Sequence, residues 1–369
     1  MQDLIHRVAL SIVPGVGIYS ARQLITYCGS VQQIFNTPSG KLKKIPGIRD
    51  QIATSLKDPQ LFQKAESIIV QCAKHNINIV FITDPLFPKR LKEIEDAPIL
   101  IYSKGNTETD HNKTIAIVGT RKASAYGKQC LENLLQELIP WNPVIVSGLA
   151  YGIDITAHKV CLDLGLRTIG VLGSGIQNIY PNLHQQIAQN MCEQGGLISE
   201  YAPNTKPEMY HFPARNRIIA GLCEGIIVAE AGEKGGALIT AQLANSYNRE
   251  VMAIPGNLNI PTSTGCNNLI KNNQAHLLTS GKDVAELLNW DIESTGRPSK
   301  FKLKDVALLA SLTEEERKLY EQIEKEENIQ LDDLAWKCGI NISQTASLLL
   351  QLEMSGLIQM LPGKKIRIT

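Results

Sequence analysis

The sequence predicts an α/β protein: an extended Rossmann-like, doubly wound and mostly parallel sheet, preceded by a helical domain and followed by a winged helix. Three observations predict it. Short runs rich in Ile and Val alternate with segments of helical period from Thr114 onward, as parallel strands and their crossover helices do. Those runs are continuously apolar, which fits strands covered on both faces. The chain of 369 residues is too long for a single core, so two or three domains are expected.

The anchoring unit runs from Thr114 to Asp154. Ile115–Val118 reads as a buried strand. Leu131, Leu134, Leu135 and Leu138 recur at helical spacing between Gly127 and Ile139, and Val144–Val146 is the second strand. This is a βαβ unit with a right-handed crossover. Further strands are expected at 167–172, 197–201, 225–230, 250–254 and 276–279. Helices fill the gaps near 152–164, 182–194, 213–223, 236–248, 265–273 and 282–289.

Upstream, residues 1–60 read as helices joined by two Pro-Gly turns, Val13-Pro14-Gly15-Val16-Gly17 and Ile45-Pro46-Gly47-Ile48. Pro-Gly is generic turn chemistry, yet both turns resemble helix–hairpin–helix modules. Lys41, Lys43, Lys44 and Arg49 surround the second. A helix at 61–76 and strands at 78–83 and 99–102 lead into the main sheet through the polar stretch 105–113. Downstream, 291–311 reads as a linker. Residues 313–369 read as three helices and a hairpin, opened by the capping box Thr313–Glu316. The expected domains are therefore 1–75 (helical, SAM or helix-hairpin-helix-like), 76–290 (extended Rossmann), the linker 291–311 and 312–369 (winged helix).

Composition excludes several classes. Net charge is +1. It is +5 over residues 1–105 (13 Lys/Arg against 8 Asp/Glu), −3 over 106–299 (14 against 17) and −1 over 300–369 (10 against 11). Any nucleic-acid contact must therefore rest on a local cluster. No apolar run has membrane-spanning length, and the first residues lack the pattern of a signal peptide. The eight cysteines form no C-x-x-C pair. The expectation is a cytoplasmic protein with reduced thiols, no metal site and no cofactor.

The C-terminal strand ends carry a consistent set of small and polar residues. They are Gly119-Thr120-Arg121, Ser147-Gly148, Gly173 with Gly175, and Lys234-Gly235-Gly236. A groove that admits a ligand backbone closely is expected along that edge. The first of these turns lacks the three-glycine dinucleotide fingerprint. Arg121 and Lys122 suit phosphate oxygens instead, although Arg121 paired with a carboxylate such as Asp154 is the plainer alternative. In His211-Phe212-Pro213-Ala214-Arg215-Asn216-Arg217, cations crowd a helix start, where the dipole disfavours them without an anion. An anionic ligand, or a structural partner such as Glu200 or Glu230, is expected there. Tyr151, Tyr180 and Phe212 are the aromatic residues near this edge. No carboxylate pair or nucleophile–base set has recognisable spacing.

The stretches SGLAYGIDITAH, HFPARNRIIAGL, GGALITAQLA and REVMAIPG resemble the DNA-processing protein A family (DprA, also called Smf), and the resemblance covers the whole chain. It implies a non-catalytic cytosolic protein that binds single-stranded DNA through the Rossmann domain and dimerises. It also implies protection of incoming strands and loading of the RecA recombinase onto them during natural transformation. The family's Gly-Ser-Arg arginine, a phosphate contact, corresponds to Arg121, with Thr120 for serine. Together with the strand-end reading, the expected DNA-binding set is Gly119, Thr120, Arg121, Ser147, Gly148, Gly173, Gly175, Tyr180, Arg215, Asn216, Lys234, Gly235 and Gly236. Some members place a lysine after Tyr-Pro; here Tyr180-Pro181 is followed by Asn182, with His184 as a substitute. The dimer segment corresponds to Asn268, Leu269, Ile270, Leu277 and Leu278, whose bland reading is ordinary core. The competing reading is a nucleotide N-glycosidic-bond hydrolase of the lysine-decarboxylase-like Rossmann group. Its Pro-Gly-Gly-x-Gly-Thr-x-x-Glu motif is matched only in part by residues 234–242. The helix Ser343–Met354 lacks Lys and Arg, so protein contact is as expected there as duplex binding.

Overall fold

The structure is a computed structural model that describes residues 2–110, 113–290, 312–325, 329–355, 357–361 and 365–368. The chain divides into two compact units, residues 1–292 and 293–369. The sequence-predicted linker 291–311 lies outside the described residues.

The first unit opens with α1 (Gln2–Ser11), α2 (Ile18–Cys28), α3 (Val31–Asn36), α4 (Ser39–Leu42), α5 (Asp50–Ser55) and α6 (Gln60–Lys74). The Pro-Gly turns precede α2 and α5, with Gly15 at φ +83° and Gly47 at φ +81°, values glycine adopts without a Cβ penalty. Each turn packs on the helix that follows the other: Gly15 faces Ile52, and Gly47 faces the ring of Tyr19. The helical core is continuous with that of the sheet, since Leu10, Leu24 and Ile34 share one cluster with Phe81, Tyr102 and Ile198. Both turns line a groove of about 680 Å³ together with Arg49, Glu95 and Asp96. Exposed carboxylates there do not select a polyanion.

Nine strands follow: β1 (Asn78–Phe81), β2 (Leu100–Gly105), β3 (Thr114–Gly119), β4 (Val144–Ser147), β5 (Thr168–Leu172), β6 (Gly196–Ser199), β7 (Gly225–Glu230), β8 (Glu250–Ala253) and β9 (His276–Leu277). They form one sheet in the order β1-β2-β6-β5-β4-β3-β7-β8-β9. Strands β3 to β9 are mutually parallel, while β1 and β2 extend the β6 edge in antiparallel fashion. The helices are α7 (Lys89–Glu93), α8 (Ala125–Leu138), α9 (Ile153–Leu164), α10 (Gln185–Gln194), α11 (His211–Leu222), α12 (Gly236–Ser246), α13 (Thr264–Lys271) and α14 (Gly281–Leu287).

The unbroken apolar character of the strands has a direct cause. Ala116 and Val118 pack into one core with residues of α11 and α12, and Ile115 and Ile117 pack into a second with residues of α8 and α9. Successive residues of a strand point to opposite faces, and both faces are covered. From β3 the chain winds outward through β4, β5 and β6, then returns to the other side of β3 as β7. The β3–β7 junction is the switch point, where such sheets open a crevice.

The second unit contains α15 (Glu314–Lys325), β10 (Ile329–Gln330), α16 (Leu331–Cys338), α17 (Ile342–Met354), β11 (Ile358–Leu361) and β12 (Lys365–Ile368). Thr313 and Glu316 form the expected capping box: Glu316 N donates to Thr313 Oγ1 at 3.3 Å, and Thr313 N to Glu316 Oε2 at 2.8 Å. Leu319, Leu334, Leu349, Leu352 and Ile366 fill its core. This is a winged helix with the short β10 added to its hairpin. Ile342 and Leu350 are more than half exposed on α17. Of the wing cations, Lys364 and the side chains of Lys365 and Arg367 lie outside the described residues.

Candidate nucleic-acid interface

The switch point divides the rim of C-terminal strand ends into an open half and a sealed half. In the open half, β3 ends at Gly119, which has no room for a side chain: a Cβ there would lie 2.4 Å from Ile153 Cγ1. Thr120 N donates to Glu230 O at 2.7 Å, tying the β3 end to β7. Arg121 and Lys122 project into solvent. The Arg121 guanidinium lies 6.0 Å from the centre of the Phe212 ring. Lys234, Gly235 and Gly236 are exposed at the start of α12, and the cap residue Gly235 makes no side-chain hydrogen bond. A cavity of about 440 Å³ opens here, lined among others by Gly119, Thr120, Arg121, Phe212, Lys234 and Gly236. Three cations, Arg121, Arg215 and Lys234, one acid, Asp154, and a helix N-terminus line this space, an excess of positive charge that attracts anions.

The helix after β3 offers no such seat. Glu230 is buried, and its Oε2 accepts from Ser124 N at 2.9 Å. A Cβ at Gly127 would lie 2.4 Å from the same oxygen. The protein's own carboxylate fills the start of α8. This agrees with the missing dinucleotide fingerprint, since a pyrophosphate would need that position.

The sealed half corrects several sequence expectations. Ser147 is fully buried and donates to Ile117 O at 2.6 Å. Gly148 is covered by Arg215 and Asp154, which a Cβ there would approach to 2.6 and 2.7 Å. Gly173 is covered by the Phe212 ring, and Gly175 by the carbonyls of Ala202 and Pro203. Arg215 is 4% exposed. Its Nη1 donates to Gly148 O at 2.7 Å and to Val171 O, and its Nε donates to Asn216 Oδ1 at 3.1 Å. These five residues are buried, and only Gly148 and Arg215 reach the edge of the neighbouring cavities.

Charge in this half is internally managed. Burial raises the Asp154 carboxyl above its ordinary value, opposed by the guanidinium of Arg215. Burial also pushes Arg215 down to about 10, with Asp154 opposing, so it stays charged at neutral pH. His158 is fully buried and pushed down to about 3, first by burial and then by His184 and Arg215. The neighbouring cation Arg217 pairs with Glu200, one of the two structural partners expected. His184 is buried with Nδ1 2.8 Å from Leu149 O, and so does not replace a DNA-facing lysine.

Other predicted residues are placed as follows. Asn216 is half-buried and donates to Gly236 O at 3.4 Å, linking α11 to the open half. Tyr180 is 45% exposed, its ring 5.4 Å from Phe212. Sequence reasoning missed Met209 and Tyr210, which are 90% and 67% exposed, with Met209 lining the cavity. The signal was available, since the pair is apolar within an otherwise polar loop. In the expected dimer segment, Leu269 and Leu278 are core residues of the chain itself and are not available to a partner. Ile270 is half-buried, while Asn268 and Leu277 are exposed. All eight cysteines are unpaired, with Cys72, Cys161, Cys223 and Cys266 buried.

Comparison with known proteins decides the family. The model of the family DNA recombination-mediator protein A matches residues 78–289. The chain belongs to that family. A DprA winged helix domain matches residues 304–364. DNA processing protein DprA of Bacillus subtilis (strain 168) is 42% identical over 244 residues, covering 65% of this chain and 82% of that protein. The structure of DNA processing protein A from Streptococcus pneumoniae superposes with a TM-score of 0.64 at 35% identity, covering 78% of this chain and 98% of that one. A structure of DNA processing protein A from Helicobacter pylori, described for its single-stranded DNA binding mode, gives a TM-score of 0.53 at 30% identity. It covers 59% of this chain and 97% of that one. Arg121 lies exposed just after β3, and no helix among the described residues is long and apolar enough to cross a membrane.

Proposed function

We propose that this DprA-family chain binds single-stranded DNA along the open half of the rim, protects incoming strands and helps to load RecA onto them during natural transformation in the cytoplasm. The observation that carries the reading is the convergence of Arg121, Lys234 and the uncapped start of α12 on one cavity. Phosphate oxygens meet the guanidinium fork and the helix N-terminus, while Tyr151, Tyr180 and Phe212 offer rings to bases. Binding of this kind is tolerant of sequence and falls with salt. One site neutralises few phosphates, so a homodimer multiplies affinity by engaging two sites on one strand.

The reading is non-enzymatic. Asp154, the acid that lines the cavity, accepts from Ala150 N, Glu230 at the end of β7 accepts from Ser124 N, and Gln242 stands where a glycosidase motif would carry an acid. The test is a gel shift with single- and double-stranded oligonucleotides at two salt concentrations, on the unaltered chain and on Arg121→Ala. Preferential single-strand binding that Arg121→Ala weakens is expected. Unchanged affinity and salt slope in the variant refute the site. Release of ribose 5-phosphate from nucleoside monophosphates refutes the non-enzymatic reading, and a RecA pull-down tests the partner.

A further inference from the structure

The turn between β4 and α9 holds an unusual backbone. Leu149 is fully buried and sits at φ +57°, a conformation that an apolar L-residue keeps only where its surroundings over-determine it. Three side chains from three segments do so here. Arg215 of α11 donates to Gly148 O and, across the strand end, to Val171 O. His184 Nδ1 lies 2.8 Å from Leu149 O. Asp154 Oδ2 accepts from Ala150 N at 3.4 Å. All three side chains belong to buried residues.

The far end of the same turn carries the backbone of the exposed cation. A Cβ at Gly152 would lie 2.2 Å from Thr120 O and 2.6 Å from the carbonyl carbon of Arg121. Ile153 N donates to Thr120 O at 3.2 Å, and Gly119 rests directly on the Ile153 side chain. A continuous path of hydrogen bonds and closed contacts thus runs from Arg215 through residues 148–153 to Thr120 and Arg121.

We propose that Arg215, at the floor of the cavity Arg121 lines, is a positioning residue for strand binding: it acts by holding the 148–153 turn that fixes the backbone of Arg121. The inference rests on the reading of Arg121 as the phosphate contact. A guanidinium is needed because its fork serves two carbonyls and a neighbouring amide from one stem. Lysine keeps the charge beside Asp154 but is a point donor on a flexible stem.

The test is a double-mutant cycle on the full chain, with a labelled oligo-dT strand as probe and affinity measured across a salt series. Arg215→Lys is expected to weaken binding about tenfold when Arg121 is present, and to have almost no further effect in the Arg121→Ala background. Its log–log salt slope should match the unaltered chain, whereas Arg121→Ala should lose about 0.7 of slope, the value of one single-strand phosphate contact. An equal factor in both backgrounds, or a slope loss in Arg215→Lys alone, overturns the proposal. If Arg215→Lys does not fold, His184→Ala, which releases Leu149 O, must show the same non-additivity, and additive behaviour there also overturns it. If Arg121→Ala binds like the unaltered chain, the strand-binding reading itself falls, an outcome distinct from additivity.

Discussion

The two halves of the rim are built from the same residue types and do opposite things. Gly148, Gly173 and Gly175 in the sealed half are small because side chains or carbonyls already occupy the space a Cβ would need. Gly235 in the open half has nothing within 4 Å of its missing Cβ, and Gly236 has only the Asn216 amide, at 3.8 Å. The cations divide the same way. Arg215 is spent on backbone carbonyls inside the protein, while Arg121 stands in solvent over an aromatic ring. A glycine or an arginine at a strand end therefore reports either close packing or ligand access, and only its neighbours say which.

Substitutions that treat the halves alike should break the comparison, in descending size. Gly175→Ala drives a methyl into two carbonyl oxygens at 2.1 and 2.2 Å and should cost about 3 kcal/mol in urea unfolding, at the upper end for overpacking. A cost near zero would mean that the half is not sealed. Arg121→Ala should leave unfolding unchanged and weaken strand binding by about 2 kcal/mol, roughly 30-fold, as for a lost hydrogen bond to a charged group. Acid should strike the sealed half. His158 has a native pKa of about 3, below its unfolded value of about 6.5. Its contribution is fully present above pH 6.5 and is lost progressively as pH falls toward 3. From pH 7 to pH 5 this amounts to about 2 kcal/mol, and His158→Gln should flatten that slope in unfolding curves measured across the window. Lys234→Ala should weaken binding only about threefold, since an exposed point charge is hydrated and screened. Gly235→Ala should change stability by less than about 0.5 kcal/mol, as at other unconstrained surface positions.

Much of the fold was legible before any coordinates. Ile115–Val118 read as a strand covered twice, because the run is short, β-branched and wholly apolar, and its alternate side chains do enter two different cores. The capping box at Thr313 was readable because its partners lie three residues apart. The candidate site was half legible. Arg121 stands at the end of β3 as the order of strand and turn requires. The burial of Arg215 was not readable, because its partners, Gly148 and Val171, lie 67 and 44 residues away in sequence. The same limit applies to Leu269 and Leu278, whose apolar character serves a partner surface or a private core equally well. It applies also to Leu149, whose left-handed backbone leaves no mark in the sequence at all.

The carboxylate of Glu230 has a consequence for discrimination. In a doubly wound sheet the helix after the first parallel strand is the customary berth for soluble dinucleotides, which are abundant in every cell. Here a neighbouring strand places its own carboxyl group in that berth. A diphosphate bridge finds that seat taken, and the space left for an anion lies at the start of α12, beside Arg121 and Lys234.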